Sequence, residues 1–150
     1  MKISKALTGV QRIYIETAPL IYYVEVNSTY IDRMDAIIDI IENTSISAIS
    51  SVITLTEVLV HPLKLNNIKL EQQYRELLTN NSDLQLATIT SHIADLAANI
   101  RATYGLRTPD ALHIATAIDA QCDVFLTNDK GIKRVNEITV LLLDDLVVDL

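Results

Sequence analysis

Short β-favouring runs alternate with helix-periodic stretches from one end of this chain to the other. Arg12-Ile13-Tyr14-Ile15-Glu16, Ile46-Ser47-Ala48-Ile49-Ser50, Leu84 to Ile89, Val124-Phe125-Leu126-Thr127 and Thr139 to Leu143 read as strands. Between them lie apolar residues at helical spacing. Thr17-Ala18-Pro19 opens a helix carrying Leu20, Ile21 and Tyr23. Ile31, Met34, Ile37, Ile38 and Ile41 form one helix face, with Asp32, Asp35, Asp39 and Glu42 on a solvated opposite face. A helix from Val52 to His61 is expected to close at Pro62, and a more polar one runs from Asn66 to Thr79. Ser91 is expected to cap a helix that Gly105 ends. Asn128 to Val135 is read as a short helix, and Asp144, Asp145 and Asp149 as an acidic tail. Such alternation predicts an α/β fold, a parallel sheet covered by helices on both faces, with residues 1–150 as one domain. Ligands of such sheets bind beyond the carboxyl ends of the strands. Glu16 and Asp129 both fall there.

The stretch Leu106 to Ala117 carries the strongest local signal. Thr108 is placed to cap a helix, and Pro109 suits its first turn. Asp110 follows, where the helix dipole favours a negative charge. Ala111, Leu112, Ile114, Ala115, Ala117 and Ile118 then make the helix apolar almost all round, so it is buried. Taken alone, Asp110 reads either as a capping charge or as a metal ligand. Glu57, set among Leu55, Val58, Leu59 and Val60, either needs a partner or cation or points to solvent.

Cys122 is the only cysteine, which excludes an internal disulfide and any multi-cysteine zinc site. His61, His92 and His113 share no ligand spacing. His113 stands three residues after Asp110 and either meets the same site or packs in the helix interior. No apolar run is long enough to cross a bilayer, and residues 1–9 lack a signal-peptide core, so a cytoplasmic protein is expected. The net charge of −7 argues against tight electrostatic binding of bare nucleic acid. A metal site built from several carboxylates would reverse the local sign. Lys130, Lys133 and Arg134 cluster after Asp129, either as a substrate contact or as a solvated face.

Four segments together resemble the PIN-domain family, and more narrowly the VapC-type toxins. They are Ile13-Tyr14-Ile15-Glu16-Thr17-Ala18-Pro19-Leu20-Ile21-Tyr22-Tyr23, Ser51-Val52-Ile53-Thr54-Leu55-Thr56-Glu57-Val58, Leu106 to Ala115, and Phe125-Leu126-Thr127-Asn128-Asp129. The resemblance runs from Ile13 to about Leu143. It implies a three-layer α/β/α sandwich and an endoribonuclease using Mg²⁺ or Mn²⁺. It places the metal-binding, catalytic acids at Glu16, Glu57, Asp110 and Asp129, with Thr127 and Asn128 supporting them. For toxin members it also implies a homodimer and a cognate antitoxin whose tail crosses the active site. Two positions depart from the family pattern. Glu16 stands where an aspartate is usual, and Ala18 where an asparagine is common. The extra methylene of Glu16 is expected to move its carboxylate outward, which matters for the tight octahedral shell of Mg²⁺ and favours Mn²⁺.

The chemistry implied is metal-assisted phosphodiester hydrolysis. Oxygen-only ligands suit Mg²⁺ and Mn²⁺ rather than zinc. Asp110 and Asp129 are expected as direct ligands, and Glu16 as a ligand or one reached through water. Glu57 either binds metal or aligns the attacking water. Arg107, Lys130 and Lys133 are candidate phosphate contacts. The competing reading is a weak or inactive PIN-like domain that binds RNA or a protein partner. A receiver-type signalling domain fits poorly, because the strand near Ile89 ends in Thr90-Ser91 without the aspartate that class requires.

Overall fold

The central strand of the sheet explains the arrangement of everything else. The computed structural model describes residues 1–150. In chain order its elements are α1 (Ile3–Ala6), β1 (Arg12–Ile15), α2 (Thr17–Val24), α3 (Ile31–Asn43), β2 (Ser47–Ser51), α4 (Val52–Lys64), α5 (Ile68–Thr79), β3 (Leu84–Ala87), α6 (Ser91–Tyr104), α7 (Thr108–Asp119), β4 (Val124–Thr127) and β5 (Thr139–Leu142). The strand order is β3-β2-β1-β4-β5, all parallel. Successive residues of β1 face opposite ways. Ile13 and Ile15 enter one core with Leu126, Leu20, Met34, Ile37, Val58 and Tyr74. Tyr14 enters the other with Phe125, Ile93, Ile100, Ala111 and Ile114. Tyr14 and Phe125, partners across β1 and β4, stack with ring centroids 5.0 Å apart.

The layers follow from handedness. Parallel crossovers are right-handed, so β1→β2→β3 places α2 to α5 on one face. The chain then returns from β3 to the other side of β1, carrying α6 and α7 on the opposite face. The strand order therefore reverses between β1 and β4. A crevice opens at such a reversal, outside the carboxyl ends of the strands.

Most expected elements are present, with differences that have local causes. Pro62 does not close α4, which continues to Lys64. A proline in the last turn removes only one donor, the one to the Val58 carbonyl, and the helix still continues beyond it, with Leu65 donating to His61. Asn67, not Asn66, caps α5 and accepts from the Leu70 N–H at 3.2 Å. Thr90 rather than Ser91 caps α6, and β3 stops at Ala87. Thr108 is already helical; Arg107 stands at the cap position of α7 without a side-chain cap bond. Residues 128–135 form only a 3₁₀ turn at Lys130–Ile132, because the Asp129 side chain takes the Gly131 N–H at 2.9 Å and tightens the chain. The acidic tail is not loose. Asp149 accepts from Ser4, Val147 pairs with Met1 and Ile3, and Asp145 meets Lys133 at 2.5 Å. No helix is long and apolar enough to cross a membrane. Asp32, Asp35, Asp39 and Glu42 all lie exposed, as expected.

Candidate active site

Four elements deliver one carboxylate each to the crevice between β1 and β4. Glu16 follows the last residue of β1, Glu57 lies in the second turn of α4, Asp110 in the first turn of α7, and Asp129 just beyond β4. A cleft of about 280 Å³ is lined by all four, together with Thr17, Ala18, Ile21, Tyr22, Arg107 and Asn128. Glu16 and Asp110 are buried; Asp129 is exposed.

Each carboxylate is held by its own partner. The Thr127 hydroxyl donates to Glu16, and accepts from the Asp129 N–H at 3.1 Å, so one threonine ties the first and last acids together. Glu16 does not move outward as expected. The longer side chain turns to Thr127 and stays 8% exposed. Burial pushes its pKa up, the Thr127 bond and His113 pull it down, and the charges of Asp110 and Asp129 push it up again. Asp110 receives the Arg107 Nε–H at 3.2 Å. Asn128 is turned to accept from the Asp144 N–H at 3.1 Å.

Glu57 rests on a buried polar chain. It accepts from His113 Nε2 at 2.8 Å and from the Thr17 hydroxyl at 2.9 Å. The His113 hydrogen bond, more than any other cause, holds the Glu57 carboxyl below the usual range. On its far side, His113 Nδ1 lies 2.6 Å from the Tyr14 hydroxyl. Both His113 and Tyr14 are at most 1% exposed. Burial raises the Tyr14 pKa well above its ordinary value, and its hydroxyl pairs with Nδ1. The Glu57 carboxylate, on the other side of the ring, can only accept. The N–H then sits on Nε2, facing Glu57. Beneath Thr17, the hydroxyls of Thr54 and Ser50 continue the network at 3.1 and 3.0 Å.

The donor set suits a hard divalent cation. It consists of carboxylate oxygens in one cleft, and the mutual repulsion acting on Glu16 is what a bound cation relieves. As the side chains stand, no three histidine, cysteine, aspartate or glutamate residues are grouped closely enough to enclose an ion. Arg107 and Gly131 each engage one oxygen of Asp110 and Asp129, respectively.

Some expected residues are absent from the cleft, and others are new to it. Lys130 and Lys133 do not line it, and Lys133 is paired with Asp145. His113 meets Glu57, one of its two expected alternatives. Thr17 and Tyr22 had not been singled out. Thr17 directly follows the strand-end acid, which was the available signal; Tyr22 reaches the cleft only through the direction of α2.

A family model for the PIN domain matches residues 13–138. The chain belongs to the PIN domain family. The match begins in β1 and covers all four carboxylates. No curated protein matches the chain. Among solved structures, the PIN fold here resembles a toxin–antitoxin complex from Klebsiella pneumoniae, with 23% identity and a TM-score of 0.66 over 87% of this chain and 97% of that one. It resembles VapBC2 from Rickettsia felis bound to a promoter DNA fragment, with 15% identity and a TM-score of 0.68 over 87% and 98%. It also resembles Mycobacterium tuberculosis VapC20, a sarcin–ricin loop cleaving toxin, with 10% identity and a TM-score of 0.63 over 85% and 98%. These likenesses establish the three-layer PIN architecture around a five-stranded parallel sheet.

Proposed function

We propose that residues 1–150 form one PIN domain acting as a divalent-metal-dependent endoribonuclease, the toxin of a toxin–antitoxin pair. The observation that carries this reading is the convergence of Glu16, Glu57, Asp110 and Asp129 on one cleft at the strand-order reversal. The VapBC complexes of the same fold support a cognate antitoxin, and VapC20 supports RNA as substrate. A homodimer in the cytoplasm completes the proposal.

Mg²⁺ or Mn²⁺ held by the four carboxylates would supply a polarised phosphate oxygen and a water of lowered pKa. The remaining roles belong to the chain. Glu57, held from two sides by His113 and Thr17, is placed to orient the attacking water and take its proton. Thr127 keeps Glu16 and Asp129 in register. Arg107 is 79% exposed, so it is free to swing from Asp110 to a substrate phosphate when Asp110 is occupied.

RNA cleavage by purified protein with Mg²⁺, Mn²⁺ or EDTA, beside Asp110→Asn, tests the proposal; structured RNAs such as transfer RNAs belong in the panel. Cutting that requires metal and falls at least 100-fold in the variant is expected. One observation favours a binding-only role: every carboxylate already has a protein partner, and no three enclose an ion. Under that reading a folded, antitoxin-free protein cuts nothing with any metal, and Glu16→Asp does not restore cutting.

A further inference from the structure

The cleft is not uniformly anionic. Its three apolar lining residues, Ala18, Ile21 and Tyr22, all come from α2. Tyr22 lies against Tyr30, with ring centroids 4.5 Å apart and planes 16° from parallel. Tyr30 is outside the lining, so it backs the Tyr22 ring from behind. The Arg33 guanidinium also lies over the Tyr30 ring, 5.5 Å from its centroid. The Tyr30 hydroxyl donates to Asp144 at 2.8 Å, and the Asp144 N–H in turn donates to Asn128, which lines the cleft. The stack is thus held by Arg33 and Asp144, and Tyr22 is the ring of the pair that lines the cleft. Tyr22 is only partly buried there.

A phosphodiester placed among the acids brings two bases with it. Among the lining residues only Tyr22 offers a base an aromatic ring, and that ring is already held against Tyr30. A ring held in advance loses little side-chain entropy when a second ring lies on it. Bases in a duplex have both faces occupied by their neighbours, and only an unpaired nucleotide can offer one. We infer that Ala18, Ile21 and Tyr22 form a subsite for one unpaired nucleobase of a single-stranded RNA segment, stacked on Tyr22 beside the bond to be cut. This deepens the ribonuclease reading and rests on it. It makes Tyr22 a residue that selects by base stacking.

The test separates stacking from packing. Fluorescein-labelled single-stranded RNA oligomers are titrated with wild-type protein, Tyr22→Phe and Tyr22→Leu in Ca²⁺ and in EDTA, and binding is followed by anisotropy. A parallel set carries an abasic ribose at each position in turn, and circular dichroism melting checks that each variant is folded. The expected result is one position where loss of the base weakens wild-type and Tyr22→Phe binding roughly tenfold. Tyr22→Leu should bind the intact oligomer about tenfold more weakly and be indifferent to the abasic position. Tyr22→Leu binding as tightly as wild type, or losing affinity equally for intact and abasic RNA, overturns the subsite. Metal-dependent cleavage by the wild type without any base-sensitive position also overturns it, while leaving the ribonuclease reading intact. Absence of both binding and cleavage overturns the two together.

Discussion

Tyr14 and His113 are buried polar side chains that the fold must satisfy, and each satisfies the other. No buried side-chain polar atom in the molecule lacks a partner. This fixes which imidazole nitrogen faces Glu57, so a residue of the hydrophobic interior sets the orientation of a carboxylate in the cleft. Tyr14→Phe removes the hydroxyl and strands His113 Nδ1 in an apolar layer. We expect a loss of about 1–3 kcal/mol, read from urea denaturation. Tyr14→Phe combined with His113→Phe should cost less than the sum of the single changes, because the second change removes the group left unpaired by the first. The sequence left His113 open between packing and the site, and the structure gives it both tasks. Glu57 was equally undecided, since α4 is apolar around it and only the position of α7 determines what its side chain meets. Lys130 and Lys133 looked close to Asp129 along the chain, but the 3₁₀ turn carries them away from the lining.

Among the elements, the α6–α7 corner aims Asp110. Gly105 ends α6 in the left-handed region, with φ of 68°. Arg101 then reaches across the corner, donating to the Leu106 carbonyl at 2.8 Å and to the Thr108 hydroxyl at 3.0 Å. A Cβ at position 105 would meet no atom within 4 Å. Gly105→Ala therefore isolates backbone strain from crowding. A destabilisation of about 1–2 kcal/mol is expected from denaturant midpoints, with the fold retained. Strand and helix identities were legible because periods of two and of 3.6 separate cleanly in this chain. Cap positions slipped by one residue at α6 and α7, where neighbouring polar residues compete for the same backbone donors, and α5 starts at Ile68 rather than Asn66. Tyr22 was not legible as a cleft residue, because periodicity tells which residues share a face of α2 but not where that face points.

Across the whole molecule, aspartates join segments that are distant in sequence. Asp123 accepts the backbone N–H groups of Gln11 at 2.7 Å and Arg12 at 2.9 Å, tying the start of β4 to the start of β1. The Arg12 N–H, then that of Gln11, holds its carboxyl below the ordinary range. Ser4 does the same for Asp149, and Lys133 for Asp145. A carboxyl whose pKa is lower in the folded state than in the unfolded chain stabilises the fold above its unfolded pKa. That contribution disappears as pH falls through the folded value. Asp123→Asn should therefore be less stable than wild type at pH 7. The difference should shrink below about pH 4, as seen in urea midpoints measured at both pH values.

The bond between Glu16 and Thr127 joins residues 111 positions apart. A ribosome releases the chain from its N-terminus, so Glu16 emerges well before β4 exists to dock beside it. Until then Asp129 is missing, and no cleft joins the four acids. A growing chain, or one broken off before β4, carries the reactive side chains without the geometry to use them. For a protein proposed to cut RNA, the acids meet in one cleft only once β4 has been made.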